Sequence, residues 1–326
     1  MGLAAWTVVV VVLTGASLAV GARVIPLHDV WAALDTPDVT NSNHVIVQTL
    51  RLPRTVLAVV VGVALGLSGA LMQGVTRNPL ADPGILGVNA GAALSVVCAA
   101  SFFGVSTFYG SVWFAFAGAA LAALAVYAIG ALGRTGATPV KLALAGAALT
   151  VFMGSATTAL LLAEPEIRAD IRSWAVGSLA GKDMETVLQM SSFVLVGTLL
   201  ALVCGSALNA LALGDDLARG LGQRVAAARA VGAVAVVLLC GAATAVVGPI
   251  GFLGLVVPHV ARLLTGADYR WVLPYSMVIA PAFLLLADII GRIAVPPNEL
   301  QVGIVTAAVG APFFVWLVRQ KRMVEL

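Results

Sequence analysis

Ser68, in the stretch "GLSG" at 66–69, and His259, in "VVPHVAR" at 256–262, have the residue types that nucleophilic catalysis needs: a hydroxyl in a small-residue setting and an imidazole to take its proton. Such a pair inside apolar runs would describe an intramembrane serine protease. The same G-x-S-G pattern is ordinary in membrane helices, where small residues allow close approach. We therefore read Ser68 as a packing residue and His259 as a satisfied or interfacial histidine rather than a base or metal ligand. Asp288, in "LLLADIIGRIA" at 284–294, is almost the only ionisable candidate within an apolar run, and alone it would suggest the ion site of a secondary transporter. Arg292 follows four residues later on the same helix face, a favourable acid-before-base pair that needs no proton relay. Cys98, Cys204 and Cys240 all fall in apolar runs and are read as small buried residues, not as a disulfide or metal set. Arg51 and Arg54, in "QTLRLPRTVLAVVVG" at 48–62, stand three residues apart at the threshold of another apolar run.

The elements that must hold these residues follow from composition. The 326 residues are 61% hydrophobic and 10% charged, where a water-soluble domain carries about 25% charged residues. This is a polytopic membrane protein, all-α, because a backbone crossing about 30 Å of hydrocarbon must satisfy its polar groups within the segment, which takes roughly 20 apolar residues. Ten spans are predicted, at 3–22, 55–74, 86–104, 111–132, 140–163, 186–212, 229–247, 250–264, 272–294 and 302–318, in a single transmembrane domain over 1–326. The first lacks a basic flank and is too long for a cleaved leader, so we expect it to be retained.

With both termini cytoplasmic, eleven of the 18 Lys and Arg residues fall in inner loops and seven in outer ones, the bias expected of that orientation. The net charge of +3 is then an inner-face effect, and no nucleic-acid partner is expected. Arg51 and Arg54 come out on the outer side, against the bias. For one arginine, interfacial snorkelling would suffice; a pair asks for more, and Pro53 between them is read as opening the helix.

Two internal features suggest a transport path. "NPLADPGILGVNAGA" at 78–92 follows the second span and "VVGPIGFLGLVVPHVA" at 246–261 follows the seventh, each a Gly/Pro-broken approach to an apolar helix. The two spans run in opposite directions, so an inverted repeat relating spans 2–5 to spans 7–10 is expected, with the breaks flanking the path. The longest inner connection, "GDDLARGLGQRVAAARAVG" at 214–232, has helical character without spanning length. Asp215 or Asp216 is placed to cap a helix, Gly220 and Gly222 to divide the run into two short helices, and the small residues suit a groove on a soluble partner.

Five blocks carry a resemblance: "LRLPRTVLAVVVGVALGLSGALMQGVTRNPLADPGILGVNAGA" (50–92), "LALAGAAL" (142–149), "LGDDLARGLG" (213–222), "VGPIGFLGLVVPHVARLL" (247–264) and "NELQVGIVTAAVGAPFFVWLV" (298–318). In order and spacing they resemble the FecCD family, permease subunits of type II ABC importers for iron-siderophore complexes, haem and vitamin B12. The resemblance implies a ten-helix subunit of the bacterial cytoplasmic membrane that pairs with a second permease around a central path. It further implies two ATP-binding subunits below and an extracytoplasmic substrate-binding protein above. Ferric siderophore is the expected cargo, with haem or vitamin B12 the alternatives. The chain has no G-x-x-x-x-G-K-[ST] motif, so it is not expected to be an enzyme or to hold a cofactor; ATP and Mg belong to the partner ATPase. By residue, the resemblance implies ATPase coupling by the loop 213–228 through Ala218, Leu221 and Gly222. It implies binding-protein docking at Arg51, Arg54 and Arg292, and an inner gate at Thr138 and Pro139.

Overall fold

The computed structural model describes residues 2–84, 86–132, 138–163, 174–295 and 298–319. Among these, every regular element is helical: α1 (Gly2–Ala19), α2 (Leu27–Asp35), α3 (Ser42–Ile46), a π turn (Val47–Arg51), α4 (Leu52–Thr76), α5 (Val88–Phe103), α6 (Phe108–Gly130) and α7 (Pro139–Ala163). There follow α8 (Met184–Val203), α9 (Gly205–Ala212), α10 (Asp215–Gly220), α11 (Val225–Val247), α12 (Leu253–Thr265), α13 (Tyr269–Ala294) and α14 (Val302–Arg319). Seven helical stretches among the described residues are long and apolar enough to cross a membrane, and α5, α12 and α14 are shorter apolar helices. Each predicted span falls on one of these, except that 186–212 is two helices, α8 and α9. They meet at Cys204, whose N–H is shared between the Leu200 carbonyl at 3.3 Å and the Ala201 carbonyl at 3.1 Å.

Two local expectations are corrected. Pro53 stands at the second position of α4, as expected, but it does not start the helical path, which already runs from Ser42 through Thr76. Proline has no N–H to give four residues back and its ring crowds that carbonyl. The wider turn ahead of it, where the Leu52 N–H reaches the Val47 carbonyl, accommodates both. Between the first two predicted spans, α2 and α3 cover the end of α1, burying Ile25, Val30, Ala33 and Val47 against Leu18 and Ala19. The run 214–232 does not hold two short helices: the first is α10, and the second is the opening of the membrane helix α11. Gly214 caps α10 with no side-chain hydrogen bond; both aspartates lie in its first turn, where a carboxylate complements the helix dipole.

The core is built around α4. An added Cβ at Gly69 would stand 2.0 Å from the Gly254 carbonyl oxygen, and one at Gly62 would stand 2.6 Å from Pro281 Cα. These glycines let α4 lie backbone to backbone on α12 and α13. Ser68 is fully buried in this seam and donates its hydroxyl to the Leu65 carbonyl at 3.0 Å, a packing role.

The two Gly/Pro breaks meet. Gly87, φ +75°, precedes α5 and Phe252, φ +67°, precedes α12. The Asn89 amide donates to the Ile250 carbonyl at 3.4 Å, and a Cβ on Gly254 would come within 2.6 Å of an Asp82 carboxylate oxygen. Non-helical backbone is tolerable at membrane depth only when protein surrounds it, and here each break is partly covered by the other. The outward faces carry Val11 and Val12 on α1, Leu121 and Leu124 on α6, Phe152 on α7 and Leu195 on α8, all exposed as a lipid environment requires.

Candidate functional site

At one end of the bundle the three arginines singled out by sequence come together, but around the protein's own groups. Asp288 is buried between two guanidiniums: Arg54 Nη2 lies 2.8 Å and Nε 3.0 Å from Oδ1, and Arg292 Nε lies 2.8 Å from Oδ2. Arg54 Nη1 also donates to Glu299 at 2.5 Å. Arg292 continues to the Ser17 carbonyl at 2.8 Å and the Ser17 hydroxyl at 2.7 Å. Arg51 donates to the Leu18 carbonyl at 2.7 Å and to the carbonyl of Arg23. A helix leaves its last four carbonyls unpaired. For α1 the Ser17 and Leu18 carbonyls are met by Arg292 and Arg51, cations at the negative end of the helix dipole, while those of Ala16 and Ala19 accept from the Val20 and Ile25 N–H groups.

None of the three is a bare rim charge. Arg51 is 6% and Arg292 3% exposed; the Arg54 side chain is 13% exposed and Glu299, which covers it, 35%. The i,i+4 pairing of Asp288 and Arg292 was legible in sequence. The second hold, from Arg54 across 234 positions, was not. Both oxygens of Asp288 are thus engaged by guanidiniums of its own chain.

At the opposite end, α10 lies on the bundle with two faces. Ala218 is fully buried, while Leu217 and Leu221, one turn apart, are 62% and 64% exposed. Gly222 has φ +81° with open space where a side chain would stand. Of the residues expected to couple, Leu221 and Gly222 are thus accessible and Ala218 is not; Leu217, exposed beside Leu221, was missed by the sequence reading although its i,i+4 spacing could have found it.

Thr138 is half-buried ahead of α7, its hydroxyl accepting from the Lys141 N–H at 3.4 Å and its carbonyl from the Leu142 N–H at 3.0 Å. Pro139 is the first residue of α7; its side chain, like residues 320–326 at the C-terminus, lies outside the described residues.

A buried polar set near this face also escaped the sequence reading. Arg262, 2% exposed, donates to the Gln73 side-chain oxygen, and Gln73 donates to the Gly254 carbonyl at 3.2 Å. Asn209 fastens α9 to the start of α13: it accepts from the Tyr269 N–H at 2.8 Å and donates to Asp268. The Arg270 guanidinium, then Asn209, holds the Asp268 carboxyl well below the usual carboxylate range. His259 is buried and meets the Phe313 ring edge-on at 6.5 Å. No group of three metal-ligating side chains occurs among the described residues.

A family model described as the FecCD transport family matches residues 8–320. The chain is 45% identical over 311 residues to the ferric enterobactin transport system permease protein FepD of Escherichia coli, covering 95% of this chain and 92% of that protein. It is 44% identical over 306 residues to the iron(3+)-hydroxamate import system permease protein FhuB of Bacillus subtilis, covering 94% and 79%. A solved metal-chelate type ABC transporter in an inward-facing conformation superposes with a TM-score of 0.80 at 29% identity, covering 97% of this chain and 98% of that one.

Proposed function

Since this chain belongs to the FecCD transport family and is a multi-pass permease of an ABC importer in the cytoplasmic membrane, we propose that its cargo is a ferric siderophore complex. The observation that carries this is the 45% identity over 95% of the chain to a permease named for ferric enterobactin. Haem is the second reading, favoured by 40% identity to the hemin transport system permease protein HmuU of Yersinia pestis; vitamin B12 is the third.

In this reading ten helices cross the membrane, with both termini cytoplasmic and α5, α12 and α14 as the short members. Spans 2–5 and 7–10 form an inverted repeat. Its support is the pair of short helices, α5 and α12, each following a left-handed residue and touching at Asn89 and Ile250. A second permease subunit, two ATP-binding subunits using ATP and Mg, and an extracytoplasmic binding protein complete the importer. Thr138 and Pro139 form the inner gate against the second permease. α10 couples to the ATPase by the exposed Leu217, Leu221 and Gly222, with Ala218 seating the helix from behind. Docking of the binding protein falls chiefly to Arg54, whose contact with the half-exposed Glu299 can be exchanged for a partner carboxylate, while Arg51 and Arg292 hold the frame.

Proteoliposomes holding the permease, its ATPase and its binding protein should take up radiolabelled ferric siderophore on ATP addition. Excess haem or cobalamin should not compete. Uptake of haem or cobalamin without ferric siderophore uptake would overturn the cargo assignment while leaving the importer reading in place.

A further inference from the structure

The two adjacent aspartates of "LGDDLARGLG" have unlike surroundings. Asp216 is almost wholly exposed and, among the described residues, pairs with Arg219, three residues on, at 2.9 Å, whose guanidinium also stands 4.0 Å from Asp215. Asp215 points back at the bundle. It takes Arg229 of α11 in a two-pronged contact, Nη1 at 3.0 Å and Nη2 at 2.9 Å, and Arg77, which ends α4, at 3.4 Å. One carboxylate thus joins three elements that are distant in sequence.

Arg77 is itself unusual. It ends α4 in the left-handed region at φ +50°, one of two non-glycine residues with positive φ among those described. An L side chain adopts that conformation at a cost, and here it turns the guanidinium of Arg77 under α10. The six residues of α10 are too few to hold a helix alone, so its position is set by what it touches. That side is Asp215 together with the fully buried Ala218; Leu217 and, just past the helix end, Leu221 are exposed. A helix with one face fastened and the other exposed has the build of a lever between two bodies.

We propose that Asp215 is the positioning residue that fastens α10 to α4 and α11 together, so that displacement of α10 reaches both membrane helices at once. The proposal rests on the coupling role of α10. Its route outward is α4: the helix is held against α12 and α13 by its glycine seam, and at the far end Arg54 pairs with Asp288 and Glu299. Half-exposed ion pairs add little to stability. A bidentate one nonetheless fixes orientation, and orientation is what transmission needs.

The test uses the complete importer with loaded binding protein and reads two quantities: co-purification of the ATPase, and the ratio of ATP hydrolysis with and without that protein. Asp215→Asn should co-purify the ATPase at wild-type stoichiometry and lower the ratio by roughly 2- to 30-fold, the span of coupling changes seen along such contacts. Asp215→Glu should restore part of it. Arg77→Gln with Arg229→Gln should reproduce the loss, and adding Asp215→Asn to that pair should cost no more, because the three act as one unit. A wild-type ratio in Asp215→Asn, additive losses in the triple variant, or loss of the ATPase from the complex would each overturn the proposal. Leu221→Asp tests the underlying coupling role separately: retention of both the ATPase and the ratio there would remove α10 from coupling whatever Asp215 does.

Discussion

The two charged clusters of this permease are built from the same side chains and are set in opposite ways. At the Arg54 end, Asp288 is 1% exposed and lies between Arg54 and Arg292. At the α10 end, Asp215 is 26% exposed and lies between Arg77 and Arg229. Taking charges out of water is expensive and is recovered only through close partners, so removing one member of a buried set leaves the others uncompensated. Near water the same removal is nearly free, because solvent takes over. The first cluster therefore holds the fold, and the second is cheap to disturb and suited to motion.

The largest separation is expected from removing the two acids. Asp288→Ala leaves the buried Arg292 guanidinium without its anion and Arg54 with Glu299 alone, and should cost about 3–5 kcal/mol, read as a large fall in thermal unfolding temperature of the detergent-solubilised protein. Asp215→Ala should cost no more than about 1 kcal/mol. Equal losses would break the contrast and make the inner cluster structural as well.

How much of this was legible depended on distance along the chain. The helices were, because lipid imposes apolar runs of fixed length, and Asp288 with Arg292 was, because four residues is one helical turn. The hold of Arg54 on Asp288 was not, since nothing local at either position names the other; "GLSG" at 66–69 suggested close packing without identifying α12 and α13 as the partners or including Gly62 in the seam. Arg51 and Arg54 were placed at an edge because the apolar run begins just after them; helical backbone starts earlier, at Ser42, and the partners that cover them lie far off in sequence. Ala218 and Leu221 were grouped by the motif they share, yet Ala218 is fully buried and Leu221, just past the end of α10, is exposed.

Docking should show a smaller, graded difference. Arg54→Glu replaces the one partly exposed guanidinium of the outer set and should slow association of the binding protein, with wild-type association itself weakening as salt shrinks the Debye length from about 10 Å at 0.1 M to about 3 Å at 1 M. Arg51→Ala, whose contacts are carbonyls of its own chain, should lower stability and leave the association rate of the folded fraction unchanged. Association kinetics in nanodiscs at two salt concentrations separate them, and a slowed rate in folded Arg51→Ala would restore it as a direct docking residue.

Gly222→Trp should have little effect on stability beyond its backbone conformation, since open space surrounds the site. At φ +81° a side chain is strained, at a cost of about 1–2 kcal/mol. It should nevertheless abolish stimulated ATP hydrolysis, and Gly222→Ala, with the same strain and little bulk, should largely retain it. Loss in both would assign the effect to strain and not to contact with the ATPase.

The smallest expected effect is at Asp268, where the start of α13 carries a charged cap instead of a buried ion. Its carboxylate is held below the ordinary value of 3.8, first by the side chain of Arg270 and then by Asn209. The sign follows from that direction. A lowered folded value means a stabilising contribution that is complete above the unfolded carboxylate range and is lost as pH falls through the folded value. Asp268→Asn keeps a side-chain oxygen able to cap α13 and removes only the charge. With the side chain 30% exposed, water screens most of the pairing, and the substitution should cost under about 1 kcal/mol at neutral pH. Thermal unfolding of the two proteins should therefore differ by a small, constant amount from neutral pH down to the carboxylate range. The gap should close only on further acidification, as the wild-type carboxylate takes up its proton. A gap that closes near neutral pH would mean that another group, not Asp268, carries the pairing at this end of α13.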